Sequence, residues 1–235
     1  MKTKEVLSIL KDYCSEKIDI EEAVVSLKNV EPVDLYLAET ELIDRGFGNN
    51  ELKKIAEVYL KVLSKRSDVL YDALPDEHPL KVLMKEHKKL ESFLNIMDEL
   101  REKIADGLTE EQRVMLERTV ENLYELDKHI SKEESVIFSR LNKGKMRGRT
   151  TLLTEEHGDI KKLRKRLKDL LVKDEDTEEI SDCLDGIIYL LREHSYIEND
   201  LLYPVAYENL NDWEDIAAEN GRIGDCEFAR IPRVK

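Results

Sequence analysis

LDKHISKEESVIF, residues 126–138, sets a histidine and a glutamate four positions apart inside an otherwise apolar helical stripe, and LREHSYIENDLLY, residues 191–203, does so again. At about 100° per residue, His129 and Glu133 fall on the arc of Leu123, Leu126, Ile130 and Ile137. His194 and Glu198 share the arc of Ile187, Leu190, Leu191, Leu201 and Val205. Both polar pairs therefore point into a core. An ionised carboxylate there is heavily penalised unless something pairs with it or coordinates it.

Two further histidines extend the pattern outward. His87 lies in the stripe Leu80, Leu83, Leu90 and Leu94, and His157 in the stripe Leu153, Ile160, Leu167 and Leu171. Leu83-x2-Glu86-His87-x2-Leu90 aligns with Leu153-x2-Glu156-His157-x2-Ile160. Likewise His129-x3-Glu133-x3-Ile137-Phe138 aligns with His194-x3-Glu198-x3-Leu202-Tyr203. From His87 to His129 is 42 residues and from His157 to His194 is 37, so the chain reads as a helix pair written twice. Four long helices follow, at about 80–105, 110–141, 150–172 and 178–209. With short connections they should form an up-down-up-down four-helix bundle.

Composition agrees with an all-α chain. Charged residues reach 38% against an average of about 25%, and only 14 of 235 residues are Gly or Pro. Residues 1–72 read as a small N-terminal helical domain of four short stretches. Among these, 32–45 starts at Pro32 and stops before Gly46, and another runs over 50–70. Pro75, Asp76, Glu77 and Pro79 mark 73–79 as a linker to the bundle at 80–210, and 211–235 reads as a helical turn around Trp213 and a tail with Gly221 and Gly224. A net charge of −14 argues against nucleic acid or anionic membrane as partner. The first residues lack a leader's apolar segment and no run approaches the ~18 apolar residues of a spanning helix, so a cytoplasmic location is expected. Cys14, Cys183 and Cys226 form no C-x-x-C, which suggests neither a disulfide framework nor a cysteine zinc site.

Four imidazoles and two carboxylates exceed a closed tetrahedral zinc set. They suit two first-row ions, with His87, His129, His157 and His194 terminal and Glu133 and Glu198 bridging. Two iron ions are expected, oxo- or hydroxo-bridged, with zinc or manganese as alternatives. An open position would admit a diatomic molecule or peroxide. Glu86 and Glu156 either accept an imidazole N–H or are solvated charges at the helix edge, whereas Glu91, whose counterpart is Lys161, reads as rim or surface. His78 should help to start a helix, and Arg164 either neutralises a buried carboxylate, gates solvent or snorkels outward. Lys143, Lys145, Arg147 and Arg149, with the run 161–168, read as a solvated basic face or a docking surface for the acidic N-terminal region or a protein partner. No cysteine pair or inward tyrosine is evident near the ligands.

One histidine on the first helix, H-x3-E on the second, one histidine on the third and H-x3-E on the fourth resemble the hemerythrin-like, or HHE cation-binding, family over about 78–210. The resemblance implies a non-haem di-iron bundle with the six ligands named above. Oxygen-carrying members have a second histidine one turn on in the third helix; Lys161 stands there, which argues against a reversible oxygen carrier. The ligand set is more similar to that of bacterial proteins proposed to repair iron centres, but their N-terminal cysteine pair is missing here. Residues 1–72 resemble a small helical domain that often precedes such bundles through a His-Pro step like His78-Pro79; Ala56 and Tyr59 occupy the region where that domain often carries Cys and His. The expected function is therefore binding or sensing of oxygen, nitric oxide or peroxide, or iron handling, signalled through residues 1–72. The alternatives are a di-iron enzyme for repair or for peroxide or nitric oxide reduction, and a scaffold with incidental zinc.

Overall fold

The computed structural model describes residues 2–63, 66–104, 107–142, 147–173 and 177–228, and every regular element among them is helical. Five short helices come first: α1 (Thr3–Cys14), α2 (Ile20–Leu27), α3 (Pro32–Asp44), α4 (Asn49–Val62) and α5 (Arg66–Ala73). Local chemistry sets several of their ends. Asp19 accepts from the Glu22 N–H at 2.8 Å and starts α2, Pro32 is the first residue of α3, and Gly46 at φ +86° follows it. The single helix expected over 50–70 is instead two. After Val62 the chain begins again at α5, where the Ser67 N–H, a first-turn donor without an intrahelical partner, bonds Asp200 Oδ1 at 2.9 Å. A distant side chain thus bonds the first turn of α5.

The long helices follow: α6 (Pro79–Lys103); α7 (Glu110–Leu123), continued by α8 (Leu126–Lys132), a π-helical segment π1 (Glu133–Phe138) and α9 (Ser139–Leu141); α10 (Arg147–Lys173); and α11 (Thr177–Ile197), continued by π2 (Glu198–Leu202) and α12 (Tyr203–Asn209). His78 caps α6, its Nδ1 accepting from the Leu80 N–H at 3.2 Å, and its ring rests on Trp213. α6 packs on α7 and α11, and α10 packs on the same two, closing a four-helix ring. The turn expected at Trp213 is an 11-residue helix, α13 (Trp213–Ile223), which includes Gly221 and ends at Gly224 with φ +89°. Arg140 holds it through Asp212 at 2.7 Å and Glu219 at 2.9 Å. Of the breaks expected between the long helices, at Asp106-Gly107, Lys143 to Gly148 and Lys173 to Thr177, residues 106, 143–146 (Lys143 and Lys145 among them) and 174–176 lie outside the described residues, as does the tail 229–235, while α10 already begins at Arg147.

Apolar packing forms two slabs. One joins the N-terminal helices, through Leu10, Leu35, Tyr36 and Tyr59, to Leu83, Phe138, Leu153 and Leu201 at one end of the bundle. The other fills the opposite end around Leu90, Leu126, Ile160 and Leu191. The four bundle histidines lie at the level between them. Arg149 is not part of a solvated basic face: it is 3% exposed and donates to Glu39 of α3, itself 0% exposed, at 2.9 Å. Lys162, Lys165, Arg166 and Lys168 are exposed as expected.

Removing one member of a fully buried ion pair strands the other charge. Arg149→Met is therefore expected to lower stability by about 3–5 kcal/mol in urea unfolding, and the Glu39→Leu, Arg149→Met double variant to recover most of the loss.

Candidate metal centre

Each of the four bundle histidines is 5% exposed or less and has its Nδ1 engaged by a side chain from another helix. His129 Nδ1 lies 2.8 Å from Glu86 Oε2, and His194 Nδ1 2.7 Å from Glu156 Oε2. His87 Nδ1 lies 2.9 Å from Asn199 Oδ1, and His157 Nδ1 2.8 Å from Glu134 Oε1. The helix-pair repeat governs the partners. The residue before the histidine of α6 or α10 holds the histidine of the following helix. The residue after Glu133 or Glu198 holds the histidine of the opposite pair. With Nδ1–H donating outward, each ring turns an Nε2 lone pair inward.

Those nitrogens meet two fully buried carboxylates. His129 Nε2 is 3.4 Å and His157 Nε2 3.3 Å from Glu133 Oε2. Glu198 turns Oε2 to His87 Nε2 at 3.3 Å and Oε1 to His194 Nε2 at 2.9 Å. His157 and His194 bring their Nε2 atoms within 2.8 Å of each other. His129 Nε2, Glu133 Oε2 and both Glu198 oxygens have no hydrogen-bond partner. Lone pairs and anionic oxygens facing one another in a core closed to water repel unless positive charge stands between them. The donors divide into two sets that could each hold a metal ion, one of His87, His129, Glu133 and Glu198, the other of Glu133, His157, His194 and Glu198. Both carboxylates belong to both sets. Two imidazole nitrogens and two shared carboxylates for each ion fit a pair of first-row cations.

A sequence model of the hemerythrin HHE cation-binding domain matches residues 78–206, more than half of the chain. The chain belongs to the hemerythrin HHE family. No curated protein matches it at a significant level. In this hemerythrin domain the structure brings together His87, His129, Glu133, His157, His194 and Glu198, all six residues singled out by spacing. His78 stands apart as the cap of α6. Glu91 is half exposed and pairs with Arg192 at 3.2 Å. Arg164 does not neutralise a cluster carboxylate; it donates to Asp127 at 3.0 and 3.2 Å and to the Leu123 carbonyl, with its guanidinium 3.8 Å from the Tyr124 ring centroid.

An inward tyrosine does lie beside the hemerythrin centre. Tyr203 is fully buried, stacks on His87 with centroids 5.7 Å apart and planes 9° from parallel, and donates its hydroxyl to Glu133 Oε1 at 2.6 Å. Its counterpart Phe138 stacks on His157 at 5.8 Å and 3°. An α-helix would set residues five apart about 140° from each other. The wider π turn instead returns Phe138 and Tyr203 toward the side of Glu133 and Glu198. A strict 3.6-residue period therefore turns Tyr203 away from the core. Glu134 and Asn199 also escape sequence reasoning, although each is the polar residue directly after a motif glutamate. Glu86, matched with Glu156 by the repeat, is held by buried Lys132 and by the Cys226 N–H at 2.8 Å; Glu156 has Arg149 at 3.9 Å.

Without metal, the hemerythrin centre must hold protons instead. Burial disfavours the His129 and His194 cations, but Glu133 and Glu86 around His129, and Glu198 and Glu156 around His194, outweigh it and raise both to about 10. His157 is raised against burial by Glu133 and Glu198. Burial pushes Glu133 and Glu86 upward, yet the neighbouring imidazoles, joined at Glu86 by Lys132 and the Cys226 N–H, bring each to about 2. The raised histidines stabilise the fold below their ordinary 6.5, and that stabilisation disappears as pH rises toward 10. The lowered carboxylates stabilise it above their ordinary 4.5, and that contribution disappears as pH falls through 2. Metal-free protein should therefore show its highest urea midpoint between pH 4.5 and 6.5. Metal binding at neutral pH should release protons, detectable with a pH indicator, and tighten as pH rises.

Proposed function

We propose that the protein binds two iron ions through His87, His129, Glu133, His157, His194 and Glu198 and uses the pair to bind or sense a small molecule, either oxygen, nitric oxide or peroxide. The observation that carries this reading is the sharing of both carboxylates between two histidine pairs whose Nε2 atoms face inward. When bound, such a pair supplies redox-active Lewis acids with room for an exogenous ligand beyond their protein donors. The protein's part is to fix the imidazoles through Glu86, Asn199, Glu134 and Glu156, and to keep bulk water from the cluster between two apolar slabs. Lys161, where carriers have a histidine, favours sensing over oxygen transport. Residues 1–72, packed on π2, α10 and α12 through α3, offer a surface through which a protein partner would read the state of the centre.

The Tyr203 hydroxyl on Glu133 favours a second reading, a di-iron enzyme acting on peroxide or nitric oxide or repairing iron centres, because a phenol beside the cluster is a group able to deliver a proton. Elemental analysis and optical spectra before and after exposure to oxygen, nitric oxide and peroxide separate the two. A stable reversible adduct supports sensing; turnover supports the enzyme. His129→Ala or Glu198→Ala should each lose at least one of two metal equivalents, while His78→Ala retains both. Two metals held by the Glu133→Ala, Glu198→Ala double variant would disprove the bridging roles.

A further inference from the structure

The two halves of the centre correspond through the repeat, with Glu134 and Asn199 in equivalent places on His157 and His87, and they differ in the aromatic ring beside each shared carboxylate. Phe138 and Tyr203 occupy equivalent places, each parallel to an imidazole of the other helix pair. Only Tyr203 carries a hydroxyl, and that hydroxyl is bonded to Glu133 Oε1. Of the four oxygens on the two shared carboxylates, the other three have no hydrogen-bond partner. Glu198 accordingly turns a different oxygen to each half, Oε2 to His87 and Oε1 to His194. Glu133 turns the same oxygen, Oε2, to both His129 and His157. The carboxylates are equivalent in sequence and unequal in space.

We propose that Tyr203 is a positioning residue that keeps Glu133 Oε1 out of the metal set, so that Glu133 serves both cations through Oε2 alone while Glu198 spans them with both oxygens. This inference rests on the two-metal reading above. Its physical basis is competition for one lone-pair-bearing atom: an oxygen that accepts a short hydrogen bond from a buried phenol is a poorer metal donor than a free one. Stacking on His87 fixes the ring, and full burial leaves the hydroxyl no water to prefer over Glu133. Phe138 places no such constraint on Glu198.

The test uses full-length protein, Zn2+ as the probe, competition titration against a chelator, and crystal structures of the loaded forms. Native protein should take up two equivalents with Glu133 ligating through one oxygen. Tyr203→Phe, which keeps the ring and removes only the hydroxyl, should still take up two, with the weaker step tightened by about tenfold and both Glu133 oxygens ligating. The Phe138→Tyr, Tyr203→Phe exchange preserves composition and should transfer the one-oxygen mode to Glu198, a result that a purely space-filling role for Tyr203 does not produce. Two equivalents with unchanged affinity and unchanged Glu133 ligation in Tyr203→Phe would overturn the proposal while leaving the two-metal reading intact. Native protein unable to hold two equivalents would overturn both.

Discussion

Everything at the centre depends on four outward hydrogen bonds. An imidazole has two ring nitrogens, and the one committed to an acceptor determines where the other points. Glu86, Asn199, Glu134 and Glu156 claim the four Nδ1 atoms, so the four Nε2 atoms have only one another and two carboxylates to face. Such a cluster is self-repelling in a core without water. It is tolerated when cations occupy it, or when protons bind in their place, which is why the His129 and His194 pKa values stand so far above the usual imidazole range.

The carboxylates that hold His129 and His194 are themselves anchored, each to a different part of the chain. Glu86 is gripped by Lys132 and by the backbone of the C-terminal segment at Cys226. Glu156 faces Arg149, which is bonded to Glu39 of the N-terminal helices. The two extensions of the hemerythrin bundle thus end at equivalent points of its two halves. The bundle supplies the donors, and the flanking segments reach the carboxylates that orient them, Cys226 directly and Glu39 through Arg149. Glu86, at 3% exposure, would otherwise be a costly buried carboxylate, so Lys132 and the Cys226 N–H do more than cover surface, whereas Glu156 is only partly buried.

Much of this was legible before any coordinates. The 3.6-residue period turned His129, Glu133, His194 and Glu198 inward, and the repeat identified Glu86 with Glu156 and His87 with His157. The helix start at Pro32 follows from the residue itself, whose fixed φ suits a first helical position. The division of the expected 50–70 helix did not follow, because the first turn of its second part is bonded by Asp200, 133 residues away. Sequence leaves Arg149 open between a solvated face and a docking surface for the N-terminal region, because the partner that decides it, Glu39, lies 110 residues off.

The sequence by itself determined that four helices would bring four histidines and two glutamates to one level of a bundle, because periodicity is a local property and each helix obeys it independently. Tertiary structure alone decided which nitrogen each histidine turns inward, since the choice rests on acceptors from other helices. It also decided that Tyr203 meets Glu133. That contact needs both a π-helical turn, which departs from the 3.6-residue period, and a partner on a different helix, and neither is encoded in the spacing of residues along one strand of chain.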